Sequence, residues 1–279
     1  MRRPALLLVL LLLALALTGL HGCSAVEGLA PPLGGSSRIV VIGSRTCIPL
    51  KDILEEGYGD AAEFAYLPSV YSGGGIEGVV DGDADIGFVA RTLTDEEQEL
   101  GLRYELLSWD ALVFAVHPSV TIDGLTTEQI RGIYSGEITN WQDVGGPDIP
   151  MTVFDRAEGG TTKVIVRRFV LGEELEISLR VTEVAQETDM VDQIRGTRGA
   201  IGFVSLGWVT ARDVPVRTLA LDGIVPGVVK TLKGAYPLAR PLGVVASPDA
   251  PPCVEQFLEW ATGDEAAALI ATRGYAPAR

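Results

Sequence analysis

Apolar residues fall along the chain in short bursts separated by glycine-rich or polar turns, and only the first burst, residues 5–17, is long and unbroken. Past residue 37 the bursts shorten and become rich in β-branched residues. They predict strands over 38–42, 63–67, 85–90, 109–116, 151–154, 200–204 and 242–245. Between them, apolar positions at helical spacing predict helices reaching residue 56 and over 76–80, 126–135, 163–171 and 254–273. Thr126 or Thr127 is placed to cap the helix 126–135, with Glu128 in its first turn. No element is predicted between 171 and 200. Strands alternating with helices predict an α/β fold. A chain of 279 residues is long enough for one large domain or two medium lobes with cores of their own.

The first burst has the layout of a signal peptide: Arg2 and Arg3, the apolar run, then Leu20-His21-Gly22-Cys23. It is short for a membrane span. The Leu-x-Gly-Cys ending resembles the bacterial lipobox, which implies cleavage after residue 22 and a lipid on Cys23, although His21 stands where small residues are typical. Residues 23–37 then read as a lipidated tether of polar residues, glycine and proline. The expected location is outside the cytoplasm, on the periplasmic or extracellular face of the cell membrane.

Formal net charge is -15, and loss of Arg2 and Arg3 with the leader takes it to -17. So acidic a chain repels nucleic acid and anionic membrane surfaces, and no nucleic-acid partner is expected. An anion site on such a body has to work locally, through backbone N–H groups, hydroxyls and one or two arginines. With Cys23 assigned to the lipid, Cys47 and Cys253 remain; an exported chain permits a disulfide between them, and two free thiols are the open alternative.

Three segments share one design, with glycine and small hydroxyl residues between a strand end and a helix start. They are Gly43-Ser44-Arg45-Thr46, Tyr71-Ser72-Gly73-Gly74-Gly75 and Arg156-Ala157-Glu158-Gly159-Gly160-Thr161-Thr162. A helix start exposes unpaired N–H donors and partial positive charge. Glycine admits an anion close to the backbone, and Ser and Thr add neutral donors. Three such ends meeting at a cleft would replace the hydration shell of a tetrahedral oxyanion, with Arg156 adding a charge-assisted contact. Taken singly, each loop is more ordinarily a turn or capping device, and Arg156 is equally placed to pair with Asp155 or Glu158.

The stretch TTEQIRGIYSGEITNWQDVGG (126–146) resembles the signature of phosphate-binding subunits of bacterial ABC importers. The order around it is similar too: the first two loops, Ala84-Asp85-Ile86-Gly87 with Arg91, Gly199-Ala200-Ile201-Gly202-Phe203-Val204, Tyr236-Pro237-Leu238-Ala239-Arg240-Pro241-Leu242, and Gly274-Tyr275 with Pro277. The resemblance implies a periplasmic-binding-protein type II fold with two α/β lobes, two crossover strands near 117–123 and 235–241, and a ligand cleft. It assigns 38–117 with 241–279 to lobe 1 and 118–240 to lobe 2. Carried over position by position, it implies oxyanion contacts at Ser44, Thr46, the backbone of Cys47, Ser72, Arg91, Arg156, Gly160, Thr161 and Thr162. Thr188 is added where the family often has Asn. It further implies a monomer with no cofactor and no metal, capturing inorganic phosphate or a similar oxyanion and delivering it to ABC permease subunits.

Two departures bear on the ligand. The family's third loop reads Gly-Ser-Gly-Thr after an acidic residue; here Gly160 lacks the serine hydroxyl and Thr161 replaces a glycine. A lost hydrogen bond to a charged oxygen costs about 1.5–3 kcal/mol, so another oxyanion is the alternative. One family member distinguishes hydrogen phosphate from sulfate with an Asp after its third strand. That position holds Arg91 here, leaving Glu158 as the nearby carboxylate.

Other classes have thinner support. His21 lies in the leader and His117 precedes Pro118, so no Ser/His/Asp set is identifiable. Cys47, at a helix start that would lower its thiol pKa, is the best nucleophile candidate and has no paired base. Asp81, Asp83 and Asp85 alternate as a strand surface or a solvated turn would, without a His/Cys cluster for a metal. A binding cleft used for anion sensing or protein contact, uncoupled from transport, is the remaining alternative.

Overall fold

The computed structural model describes residues 37–68, 71–158, 160–227, 230–231 and 233–278; the expected signal peptide, Cys23, nearly all of the tether and Gly159 lie outside the described residues. In chain order the elements begin β1 (Ser37–Gly43), α1 (Ile48–Tyr58), β2 (Ala62–Tyr66), α2 (Ser72–Val80), β3 (Ile86–Val89), α3 (Asp95–Gln98), β4 (Arg103–Val116), β5 (Gly124–Leu125) and α4 (Thr127–Ser135). They continue with β6 (Thr152–Arg156), α5 (Thr161–Val166), β7 (Thr182–Val184), α6 (Glu187–Gly196), β8 (Ala200–Ser205), α7 (Leu206–Ala211), β9 (Arg217–Thr218) and β10 (Ala220–Leu221). The chain closes with β11 (Ala239–Ala246), α8 (Pro252–Ala261), α9 (Asp264–Thr272) and β12 (Ala276–Pro277).

The main strand order is β2-β1-β3-β11-β4-β8-β6-β7. Parallel β1, β2 and β3 form one half and parallel β6, β7 and β8 the other. Antiparallel β4 and β11 stand between them. β4 belongs to both halves: Arg103–Ala111 pair with β11 and Leu112–Val116 with β8. The chain returns beside this switch, where Leu112 N donates to Leu238 O at 2.7 Å.

Each half has its own core. In the first, Ile39, Val41, Ile86 and Phe88 meet Leu50 and Ile53 of α1 and Phe257 of α8. In the second, Phe114, Ile201 and Phe203 meet Tyr134, Trp141 and Phe154. The signature stretch 126–146 serves this second core. Thr126 and Gln129 form a reciprocal capping box on α4, and Gly136 ends the helix in the left-handed region. Buried Trp141 donates its indole N–H to Gly199 O at 2.8 Å, and buried Tyr134 its O–H to Phe154 O at 3.0 Å. The most recognisable motif in the sequence thus braces β6, the strand that ends in Arg156.

Several predicted elements differ in extent. β4 starts at Arg103 rather than 109: Arg103–Leu106 are only partly buried and include Arg103 and Glu105, so no apolar run marks them as strand. The helix expected over 254–273 is two, α8 and α9, broken at Thr262-Gly263 where Thr262 Oγ1 bonds back to Leu258 O at 2.8 Å. α5 begins at Thr161, not at 163, and runs on as a π-turn over Arg167–Leu171. α6 lies wholly in the stretch for which the sequence predicted nothing. Cys47 is a buried free thiol, which leaves no disulfide between it and Cys253. Among the described residues no helix is long and apolar enough to cross a membrane.

At the site-forming end of the first half, α2 lies almost on the backbone of β1. A Cβ on Gly43, whose φ is +139°, would sit 2.3 Å from Phe88 O; one on Gly75 would sit 3.0 Å from Gly43 Cα. Gly43 lets the end of β1 pass against the backbone of β3, and Gly75 lets the first turn of α2 close on the end of β1. Gly43→Ala should therefore lower stability by about 3 kcal/mol, read as a reduced urea midpoint; an unchanged midpoint would show that the sheet yields to the methyl group.

Candidate functional site

A cavity of about 490 Å³ opens between the two halves, and the starts of three helical segments reach it. From the first half come Ser44, Arg45 and Thr46 ahead of α1, and Ser72 and Gly73 at the start of α2. From the second come Gly160, Thr161 and Thr162 at the start of α5. No side chain caps α1, α2 or α5. The uncapped first turns of α2 and α5 leave partial positive charge on the cavity wall, whereas α1 starts from a 3-10 turn in which Ile48 N donates to Arg45 O. Ser72 Oγ accepts from Ala90 N at 3.0 Å, which fixes the hydroxyl at the base of that wall.

Eight of the ten residues expected at an oxyanion line this cavity: Ser44, Thr46, Ser72, Arg91, Arg156, Gly160, Thr161 and Thr162. Cys47 and Thr188 do not. Cys47 is buried beneath the loop, its amide donating to Ser44 O at 3.0 Å within the turn. Burial pushes its thiol up to about 12, with Arg240 opposing, so the group stays protonated at neutral pH. That is the reverse of the activation a helix start would give an exposed cysteine. Thr188 lines a separate shallow depression beside Trp208 and Arg212. The residue before it in α6, Glu187, faces the cavity instead, as the roughly 100° turn per residue of a helix requires.

The charged groups divide into those hydrogen-bonded to a partner and those with an end that is not. Arg91 is held by Glu97 through Nη1 and Nη2 at 2.5 and 2.7 Å and also donates to Thr92 O. This pairing holds Glu97 down to about 2. Lys163, almost fully buried, pairs with Asp155. Glu158 is 61% exposed, and its hydrogen bond from Arg167, with Lys163 nearby, holds its carboxyl below the usual range. Arg156 differs. Its Nη1 and Glu187 Oε2 form an ion pair at 3.6 Å on the cavity wall, and among the described residues neither buried atom has a hydrogen-bond partner. Glu187 is fixed by its other oxygen, which accepts from Ser205 N at 2.6 Å.

Behind the wall lies a fully buried ion pair, Asp110 on β4 and Arg240 on β11. Asp110 Oδ2 accepts from Arg240 Nε and Nη2 at 3.0 and 2.8 Å. Its Oδ1 accepts from Ser205 Oγ and Gly207 N at 2.8 and 3.3 Å. Burial pushes the carboxyl up and the guanidinium opposes it. Arg240 Nη1 then reaches Thr162 Oγ1 at 2.7 Å. The sequence reading singled out none of Glu187, Asp110, Arg240 or Lys163 as functional. Asp110 and Arg240 are lone charges in otherwise apolar runs, which is the signal that would have found them; Glu187 and Lys163 had no such signal.

A family model described as a PBP superfamily domain matches residues 34–265. The chain is 24% identical over 209 residues to the phosphate-binding protein PstS of Borreliella burgdorferi, covering 72% of this chain and 75% of that one. It is 26% identical over 164 residues to the phosphate-binding protein PstS of Bacillus subtilis, covering 58% and 53%. Among solved structures, a substrate-binding protein from Clostridium perfringens with bound phosphate superposes with a TM-score of 0.75 at 23% identity, covering 87% of this chain and all of that one. An ABC-type phosphate transport receptor from Vibrio cholerae gives a TM-score of 0.63 at 27% identity, covering 86% and 99%. These likenesses establish the two-lobed periplasmic-binding-protein type II fold.

Proposed function

The chain belongs to the PBP superfamily, and from that premise we propose that it captures inorganic phosphate between its lobes and delivers it to an ABC permease. The observation that carries this reading is the ion pair of Arg156 Nη1 and Glu187 Oε2, neither atom hydrogen-bonded among the described residues, buried in a cavity that three helix starts border. An arginine end calls for an acceptor and a carboxylate oxygen calls for a donor. Hydrogen phosphate supplies both, bare oxygens toward Arg156 and the helix starts and one P–O–H toward Glu187. Sulfate has no proton to offer and would leave Glu187 facing a second negative charge. Glu187 therefore takes the discriminating role that the sequence left to Glu158, which is largely exposed and already paired with Arg167.

The anion replaces contacts within one lobe by contacts to both, which shifts the population toward a closed form. That form is the one presented to the permease. Residues 1–22 export the chain and a lipid on Cys23 holds it at the membrane surface, as the Leu20-His21-Gly22-Cys23 ending supports.

Calorimetric titration of residues 24–279 with phosphate, arsenate, sulfate and molybdate tests the ligand. Binding of phosphate and arsenate is expected, and binding of sulfate or molybdate in their place would overturn the assignment. Arg156→Ala removes about 1.5–3 kcal/mol of charge-assisted bonding, roughly ten- to a hundredfold in Kd; an unchanged Kd would take Arg156 out of the site. Glu187→Gln keeps the shape but can donate to sulfate, so the phosphate-to-sulfate preference should fall at least about tenfold; a preserved preference would mean another group reads the proton. For the anchor, Cys23→Ser should move the protein from the membrane fraction to the soluble one, and retention in the membrane fraction would refute lipidation at that residue.

A further inference from the structure

Thr162 lines the cavity from the first turn of α5, in the half of the fold opposite to most of β11. Its oxygen receives Arg240 Nη1 at 2.7 Å. A guanidinium only donates, so in this contact the threonine oxygen is the acceptor. Its single O–H must point in another direction, and among the described residues no acceptor takes that proton. Rotation about the C–O bond, which normally lets a hydroxyl choose between donating and accepting, is restricted here by a neighbour that cannot exchange roles. Arg240 is itself immobile: it is fully buried, and Asp110 grips Nε and Nη2 while Ser205 and Gly207 hold Asp110.

We propose that Arg240 is a positioning residue that turns the Thr162 hydroxyl into a dedicated donor to the bound oxyanion. By occupying a lone pair of that oxygen it directs the proton into the cavity, and its charge polarises the O–H so that the bond to the anion strengthens. Without Arg240 the hydroxyl is free to rotate and can accept as well as donate, so its proton is no longer committed to the cavity. The inference rests on the oxyanion reading of the site.

A double-mutant cycle on Kd tests it, using Arg240→Lys and Thr162→Val with phosphate as the probe. Lysine can keep the charge partner of Asp110 but cannot also hold Thr162 in the planar fork of arginine. Arg240→Lys should weaken binding about tenfold in the parent and less than about twofold in the Thr162→Val background, because the hydroxyl it orients is already gone. Equal fold-losses in both backgrounds would overturn the proposal and leave Arg240 a purely structural residue. If Arg240→Lys fails to fold by circular dichroism, the paired change Asp110→Asn with Arg240→Met removes both buried charges and enters the same cycle with the same expectation. A parent that binds another oxyanion but not phosphate refutes only the phosphate assignment, and the cycle is run with that anion. A parent that binds none of the four oxyanions overturns both.

Discussion

The buried ion pair of Asp110 and Arg240 sits where the two halves of the sheet join, and much of the site is fixed with reference to it. Removing two charges from water costs several kcal/mol per ion. The pair is tolerable because four donor contacts converge on the two oxygens of Asp110. One hydrogen-bonded line runs from Glu187 through Ser205 and Asp110 to Arg240 and Thr162. Its two ends are the carboxylate and the hydroxyl that face the cavity. Replacing such a pair by hydrophobic residues is often neutral for stability, but here it would remove the donor that Arg240 presents to Thr162.

The second constraint is electrostatic. On the proposed function, a body of formal charge -15 has to hold an anion. Most of the charges around the cavity are cancelled in pairs, Arg91 with Glu97 and Lys163 with Asp155, while Arg156 is without a hydrogen bond at Nη1. Uncapped helix starts then supply positive potential without adding ionic charge. Such fields act over the first turn only. Capture therefore depends on geometry at contact range rather than on attraction from a distance.

The sequence made part of this legible. The strands and the three glycine-and-hydroxyl turns could be read because β-branched runs and glycine have local causes. Eight of the ten residues that the family resemblance implied line one cavity. What escaped depends on tertiary neighbours. α6 carries Met190, Val191 and Ile194 at helical spacing, but only three apolar residues behind an acidic first turn; neither it nor Glu187 is among the predictions, and the threonine chosen there points a helical step away from the cavity. Asp110 and Arg240 are separated by 130 residues, and nothing local says that they meet. The most distinctive stretch, 126–146, carries the family resemblance and yet acts by bracing β6 through Tyr134 and the second core through Trp141.

The central claim is convergence: donors from both lobes on a single anion. A crystal structure of residues 24–279 grown with phosphate tests it most directly. The expected result is one phosphate touching Ser72 or the first-turn amides of α2 on one side and Arg156 and Thr162 on the other, with Glu187 on its protonated oxygen. A phosphate held by one lobe alone, or bound away from Arg156, would contradict it.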